Sequence, residues 1–299
     1  MRERINDILD DEVRIIGAGP KKPPRRKKKW VFPLVVLALL LLMGGIVIAF
    51  WPRERRDKPI QGVYDQDPYQ GVPFGIVYPS DTPKTPPLSR IADTDKSFTE
   101  KIDTTINDIP MSILIPHNAM PELSVGKPTP KDTSIILIAQ AADIRSDNLK
   151  ILGSFVYKGE VIAKGTSKKG FCAIIDGTMR IGVGESTPYF EMSTEHENYF
   201  FRQFGLVDDG SLVENELKNK SIRKALCSRG EEVFIVSTES NESLHDFAQA
   251  LVDLGCKNAI SLVGSRYAYG WAVDRDGTAS FFGEDVHKYK NENYILWRK

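Results

Sequence analysis

What the chain lacks narrows it first. It has no net charge: 40 basic and 40 acidic side chains cancel across 299 residues. No global excess therefore points to nucleic acid or another polyanion, and any electrostatic preference must be local. Proline is nearly absent from the second half, where only Pro188 of the 18 prolines lies beyond Pro130. Extended or kinked backbone thus belongs to the first part, and the remainder, from about Lys131, has the content of one compact domain. Cysteine is scarce as well. Cys172, Cys227 and Cys256 are odd in number and each stands in or beside an apolar run. That predicts small buried hydrophobes in place of a disulfide framework, although one pair could still bridge. The four histidines, His117, His196, His245 and His287, show no ligand spacing with one another or with cysteine, so no metal or other cofactor is expected.

Charge is also missing from Trp30 to Trp51, 22 consecutive residues. As a helix they would span roughly 33 Å, enough for a bilayer core of about 30 Å. Fourteen of the twenty residues from Val31 to Phe50 are Val, Leu, Ile or Phe, and the two tryptophans stand where interfacial aromatics belong. Lys21, Lys22, Arg25, Arg26, Lys27, Lys28 and Lys29 precede this segment, against Arg53, Arg55, Arg56 and Lys58 after it. The basic excess holds the amino terminus in the cytoplasm and places the rest outside, periplasmic or extracellular. A cleaved signal peptide is the competing reading, but Ile48-Ala49-Phe50-Trp51-Pro52 lacks a small-x-small cleavage site. The basic run is explained by topology and attraction to anionic lipid, without nucleic acid.

Residues 52–95 hold eight prolines among many polar side chains with no sustained period, the pattern of an extended linker with a reach of roughly 40 Å. Beyond it come short apolar strands broken by turn signals. Lys158-Gly159, Asp176-Gly177, Asp209-Gly210, Arg229-Gly230 and Asp276-Gly277 mark hairpins. Ser243-Leu244-His245-Asp246 has capping-box spacing and is followed by Phe247, Ala248, Leu251 and Leu254 at helical spacing, with Gly255 as the stop. The expected organisation is a basic tail (1–29), a transmembrane helix (30–51), a proline-rich linker (52–95) and one folded domain (96–299). The domain is expected to be α+β, a strand-dominated mixed sheet with packed helices.

This order of hairpins, capped helix and strand ending in a glycine turn resembles the phosphodiester glycosidase family, which includes the enzyme that uncovers mannose 6-phosphate by removing N-acetylglucosamine from a phosphodiester. The likeness runs from about Ile135 to Trp271. It is carried by Gly205-Leu206-Val207-Asp208-Asp209-Gly210, by Arg223-Lys224-Ala225-Leu226, and by Leu244 to Leu262. Where the family has Asn-Gly-Gly-Phe-Phe, this chain has Ala139-Gln140-Ala141-Ala142-Asp143. Where it has Leu-Asp-Gly-Gly-Gly-Ser, this chain has Leu262-Val263-Gly264-Ser265-Arg266-Tyr267. Val263 can neither carry a proton nor accept a hydrogen bond.

The resemblance implies a hydrolase acting on a sugar phosphodiester, which needs a cationic clamp on phosphate and an acid or base near the departing oxygen. Arg223 matches a family arginine, and its planar guanidinium suits a bidentate grip. Gly264, Ser265 and Arg266 follow a strand where a turn can aim backbone amides at an anion. Asp143 is the candidate carboxylate, with Glu239 a weaker one. Gln203 and Arg202 fall where the resembled fold has its cleft. The alternative is a non-catalytic carbohydrate-binding or scaffold module, motivated by Val263; a third reading, recruitment of cytoplasmic partners, rests on residues 1–29 alone. The expected partners are membrane lipid, through one helix, and a sugar-phosphate or polysaccharide ligand. A reporter fused after Lys299 should be active only outside the cytoplasm, and a cytoplasmic signal would overturn the orientation read from the flanking charges.

Overall fold

The computed structural model describes residues 86–299 except 92, 93, 166, 286–288 and 290. The expected tail, the membrane helix and most of the linker lie outside the described residues, as does His287. Among the described residues no helix is long and apolar enough to cross a membrane.

The described strands form three sheets. The first has seven strands: β1 (Phe98–Ile106), β2 (Ile109–His117), β10 (Gly205–Asp208), β11 (Ser211–Leu212), β12 (Lys224–Arg229), β13 (Glu232–Thr238) and β14 (Asn258–Leu262), in the order β1-β2-β13-β12-β14-β10-β11. The second contains β3 (Met120–Val125), β4 (Ile135–Gln140), β15 (Gly270–Val273), β16 (Ala279–Phe282) and β17 (Asn293–Arg298), in the order β16-β15-β4-β17-β3. The third contains β5 (Phe155–Tyr157), β6 (Glu160–Ala163), β7 (Gly170–Ile175), β8 (Thr178–Val183) and β9 (Tyr199–Gln203), in the order β6-β5-β9-β7-β8.

The expected mixed sheet with packed helices is corrected on both counts. Each ladder between these strands is antiparallel. No layer of helices covers the sheets: the described residues contain two helices, α1 (Pro188–Met192) and α2 (Leu244–Asp253), of five and ten residues. The physical reason lies in the turns. Hairpins as tight as Lys158-Gly159, Asp176-Gly177 and Asp209-Gly210, with both residues at positive φ, can join only antiparallel neighbours, whereas parallel strands need a long crossover.

Apolar residues alternate along the strands of the seven-stranded sheet between two clusters. Leu114, Leu226, Ile235, Ile260 and Leu262 face a central core shared with Ile136 and Ile295 of the second sheet and with Phe155, Cys172 and Phe201 of the third. Ile113, Ala225, Phe234, Val236 and Ala259 face outward, into one cluster with Leu244, Phe247, Ala248 and Leu251 of α2. The inner strands of this sheet are covered on both faces, so β2 and β13 carry continuous apolar runs, whereas the edge strand β1 alternates. The α2 start is capped as its sequence predicts, the Ser243 side chain accepting from the Asp246 amide at 3.0 Å. The three cysteines are free and buried.

The third and first sheets meet where the chain passes from β9 to β10 at Phe204. Gly170 of β7 stands opposite Gln203. A Cβ there would lie 2.7 Å from both the Gln203 carbonyl and the Gly205 amide nitrogen, and 2.8 Å from Ile260 Cγ2. Two of those neighbours are backbone atoms with no rotamer to yield. Gly170→Ala should therefore cost at least about 2 kcal/mol in urea unfolding; an unchanged midpoint would mean that the two sheets do not approach this closely.

Candidate functional site

Beyond β4 the chain continues as Ala141-Ala142-Asp143, and Asn293 of β17 fixes this stretch. Its Oδ1 accepts from the Ala142 amide at 2.7 Å, and its Nδ2 donates to the Ala142 carbonyl at 3.0 Å. The Asp143 carbonyl accepts from the Leu152 amide at 2.8 Å. The Asp143 carboxylate is thereby presented to Lys168, with which it forms a close ion pair. The Lys168 side chain is 3% exposed and that of Asp143 28%, so the ammonium is withdrawn while the carboxylate keeps contact with solvent.

Gln203, at the end of β9, completes the arrangement. Its Oε1 accepts from Lys168 Nζ at 2.9 Å and from Ser261 Oγ of β14 at 3.2 Å, while its Nε2 donates to the Ala141 carbonyl at 3.3 Å. The Phe204 ring lies 4.5 Å from the Lys168 ammonium, a cation–π contact that adds to the charge compensation. Arg202 positions the lysine from behind. Its guanidinium donates to the carbonyls of Lys168, Lys169, Gly184 and Glu185, and burial lowers its pKa from the usual guanidinium value.

The other expected site residues collect on the far side of Val263. Gly264 packs on the backbone before β12, where a Cβ would run into the Ile222 carbonyl. The Ser265 amide donates to that same carbonyl at 2.8 Å, and Ser265 takes a φ of 93°, unusual for a residue with a side chain. Arg223 is buried; its Nε donates to the Glu242 carbonyl at 2.8 Å and its Nη2 to the carbonyl and side chain of Asn219. These bonds fasten two loops together. Arg266 is exposed on the turn, its guanidinium 5.6 Å from the Tyr267 ring. Glu239 is elsewhere, bonded to Ser112 of β2. Asp143 and Gln203 are thus joined through one lysine, Arg223, Gly264 and Ser265 through the backbone at 222, and Val263 lies between, its amide donating to the Gln140 carbonyl at 3.3 Å. Among the described residues no group of three or more His, Cys, Asp or Glu side chains is placed to hold a metal ion.

Sequence reasoning missed Lys168, Ser261, Asn293 and Lys224. Lys168-Lys169 before a glycine reads as a solvated turn, and nothing local marks the first lysine as buried. Lys224 did carry a signal, a lysine opening an otherwise apolar strand.

No family model matches the chain, and no curated protein does. Among solved structures, the catalytic domain of zebrafish N-acetylglucosamine-1-phosphodiester alpha-N-acetylglucosaminidase, auto-inhibited by its pro-peptide, is similar with a TM-score of 0.51 and 13% identity, over 68% of this chain and 82% of that one. A hypothetical protein from Synechocystis reaches a TM-score of 0.44 at 11% identity, over 67% of this chain and 62% of that one, and adds no weight. At such identity the likeness defines a fold: this chain has a fold distantly related to that of a glycosidase domain.

Lys224 offers a direct test of the interior. Its ammonium donates to the Ala268 carbonyl at 3.0 Å, and burial pushes its pKa down to about 8. An unfolded lysine keeps its proton to about pH 10.4. Between those values the unfolded chain holds more protons, so this residue makes stability rise with pH, by roughly 3 kcal/mol across the window. Tyr199, pushed up to about 12 by burial and the nearby Glu122, acts oppositely above pH 10, so the comparison must be between variants. Lys224→Met should be more stable than the parent at pH 7 and lose that advantage by pH 10. A difference that stays flat with pH would show that Lys224 bears no burial penalty.

Proposed function

We propose that the domain is held outside the membrane by the segment 30–51 and hydrolyses the glycosyl–phosphate bond of a sugar phosphodiester, with Asp143 as the catalytic carboxylate. One observation carries the reading: a partly exposed carboxylate is locked against a buried ammonium where β4, β9 and β14 end together, in a fold like that of a glycosidase domain.

The chemistry asks little of a second titratable group. Asp143 takes a proton from water as the oxygen attacks the anomeric carbon, and the bond from that carbon to the phosphate oxygen breaks. The leaving group is a phosphate monoester, an anion whose second pKa is about 6, so it departs without a proton from the protein. Lys168 orients the carboxylate, and Gln203 orients Lys168. Arg266, on the exposed turn after Val263, supplies positive charge to the phosphate, while Arg223 braces the backbone on which Gly264 and Ser265 rest.

The second reading, a binding module that performs no chemistry, is favoured by Val263, an apolar side chain where the resembled family has an aspartate. Incubating the full-length protein with the methyl phosphodiester of N-acetylglucosamine 1-phosphate and with the same diesters of other hexoses decides between the two. Release of free sugar is expected from at least one, falling at least 100-fold in Asp143→Asn and only in part in Asp143→Glu. Near-ultraviolet circular dichroism of each variant shows that the fold is kept. Binding without turnover in the parent would replace the hydrolase by the binding module, and turnover that survives Asp143→Asn would remove Asp143 from the site.

A further inference from the structure

A groove with a volume of about 540 Å³ opens at the other end of β4, within the range of small-ligand sites, about 300 to 1,000 Å³. The six residues of β4 separate it from Asp143 by roughly 20 Å at about 3.3 Å each. Its wall includes Glu122 of β3, Asp132 before β4, Tyr157 and Lys158 of the β5–β6 hairpin, and Arg298 of β17.

Arg298 ties the floor together. Its Nε donates to Glu122 Oε1 at 2.7 Å, and its Nη1 donates to Asp132 Oδ2 at 2.8 Å and to the Ser134 hydroxyl. Asp132 also accepts from the Ser134 amide and hydroxyl at 3.1 and 2.6 Å. These bonds leave polar capacity over. Glu122 Oε2, Arg298 Nη2 and the Tyr157 hydroxyl take part in no hydrogen bond with the described residues. The side chains of Arg298, Glu122 and Asp132 are 38%, 27% and 32% exposed, so these three keep contact with solvent, while Tyr157 is half-buried against the core.

Glu122 and Asp132 face Arg298, and the two lysines of the lining, Lys127 and Lys158, are paired with Asp285 and Glu197, so the groove offers no uncompensated cation. A phosphate or sulfate gains nothing from such a lining. A metal ion is disfavoured as well, because the guanidinium already stands between the carboxylates. What fits is a neutral molecule rich in vicinal hydroxyls, each able to donate to a carboxylate and accept from a guanidinium, with an apolar face to lay against the Tyr157 ring. We infer that this groove binds a neutral saccharide segment of a glycan, separately from the Asp143 end of the domain.

The test titrates the full-length protein with tetrasaccharides of N-acetylglucosamine, glucose and mannose, read by calorimetry. At least one should bind, with an affinity changing less than twofold between 50 and 500 mM sodium chloride. Tyr157→Ala and Glu122→Gln should each weaken it at least fivefold. Tyr157→Phe, which keeps the core ring, should weaken it less than Tyr157→Ala and guards against reading a folding defect as lost binding. The inference is overturned if none of the three binds, if affinity collapses at high salt, or if binding survives both Tyr157→Ala and Glu122→Gln.

Discussion

A lysine ammonium almost wholly withdrawn from water has to be met by charge and dipoles, and Lys168 is met by the Asp143 carboxylate after β4, by the Gln203 amide oxygen at the end of β9 and by the Phe204 ring. Ser261 of β14 donates to that same amide oxygen and so holds Gln203 in place. Losing one partner of a buried pair strands the other, at a cost of about 3 to 5 kcal/mol. The demand of one ammonium therefore ties the end of β4 to the end of β9, and Ser261, through Gln203, adds β14 of the first sheet. Asn293 and Arg202 extend that constraint, fixing the stretch that carries Asp143 and the loop that carries Lys168.

That convergence is available only because the sheets come close at one point. Phe204 is the single residue between β9 and β10, so Gln203 belongs to the third sheet and Gly205 to the first. Gly170 lacks the side chain that would push them apart, and Gly205 does the same toward Val183. Backbone spacing thus sets the reach of Gln203 to both Lys168 and Ser261. A site built from ladder geometry is less free to drift than one built on long loops.

The hairpins were legible because each is a local event: an aspartate or lysine followed by glycine between apolar runs selects its turn by φ alone. The α2 helix was legible for the same reason, through Ser243 and the spacing of its buried residues. β1, β3, β17 and α1 were not: β3 and α1 are half-buried stretches with no clear period, and β1 and β17 have no glycine turn beside them to mark their bounds. β1 alternates buried and exposed only after its first residues, and β17 is buried nearly throughout. Parallel against antiparallel pairing is a long-range matter that apolar runs do not encode. At the site, Asp143 and Gln203 were accessible as polar residues at strand ends. Lys168 was not, because its burial is produced by residues 25 and 35 positions away in sequence.

The two ends of β4 also differ in how they hold charge, and the difference bears on what each suits. At the Asp143 end the ammonium is inside, where attraction is weakly screened and a carboxylate is fixed in direction. At the Arg298 end carboxylates and guanidinium share solvent, so each pair is worth little alone and their net field is small. A withdrawn cation that orients a half-exposed carboxylate suits the making and breaking of bonds, which depends on geometry held to fractions of an ångström. A screened and balanced network suits hydrogen-bonded recognition, where water can be exchanged for hydroxyl groups at little electrostatic cost. One strand, clamped between β15 and β17, sets the separation between these two environments.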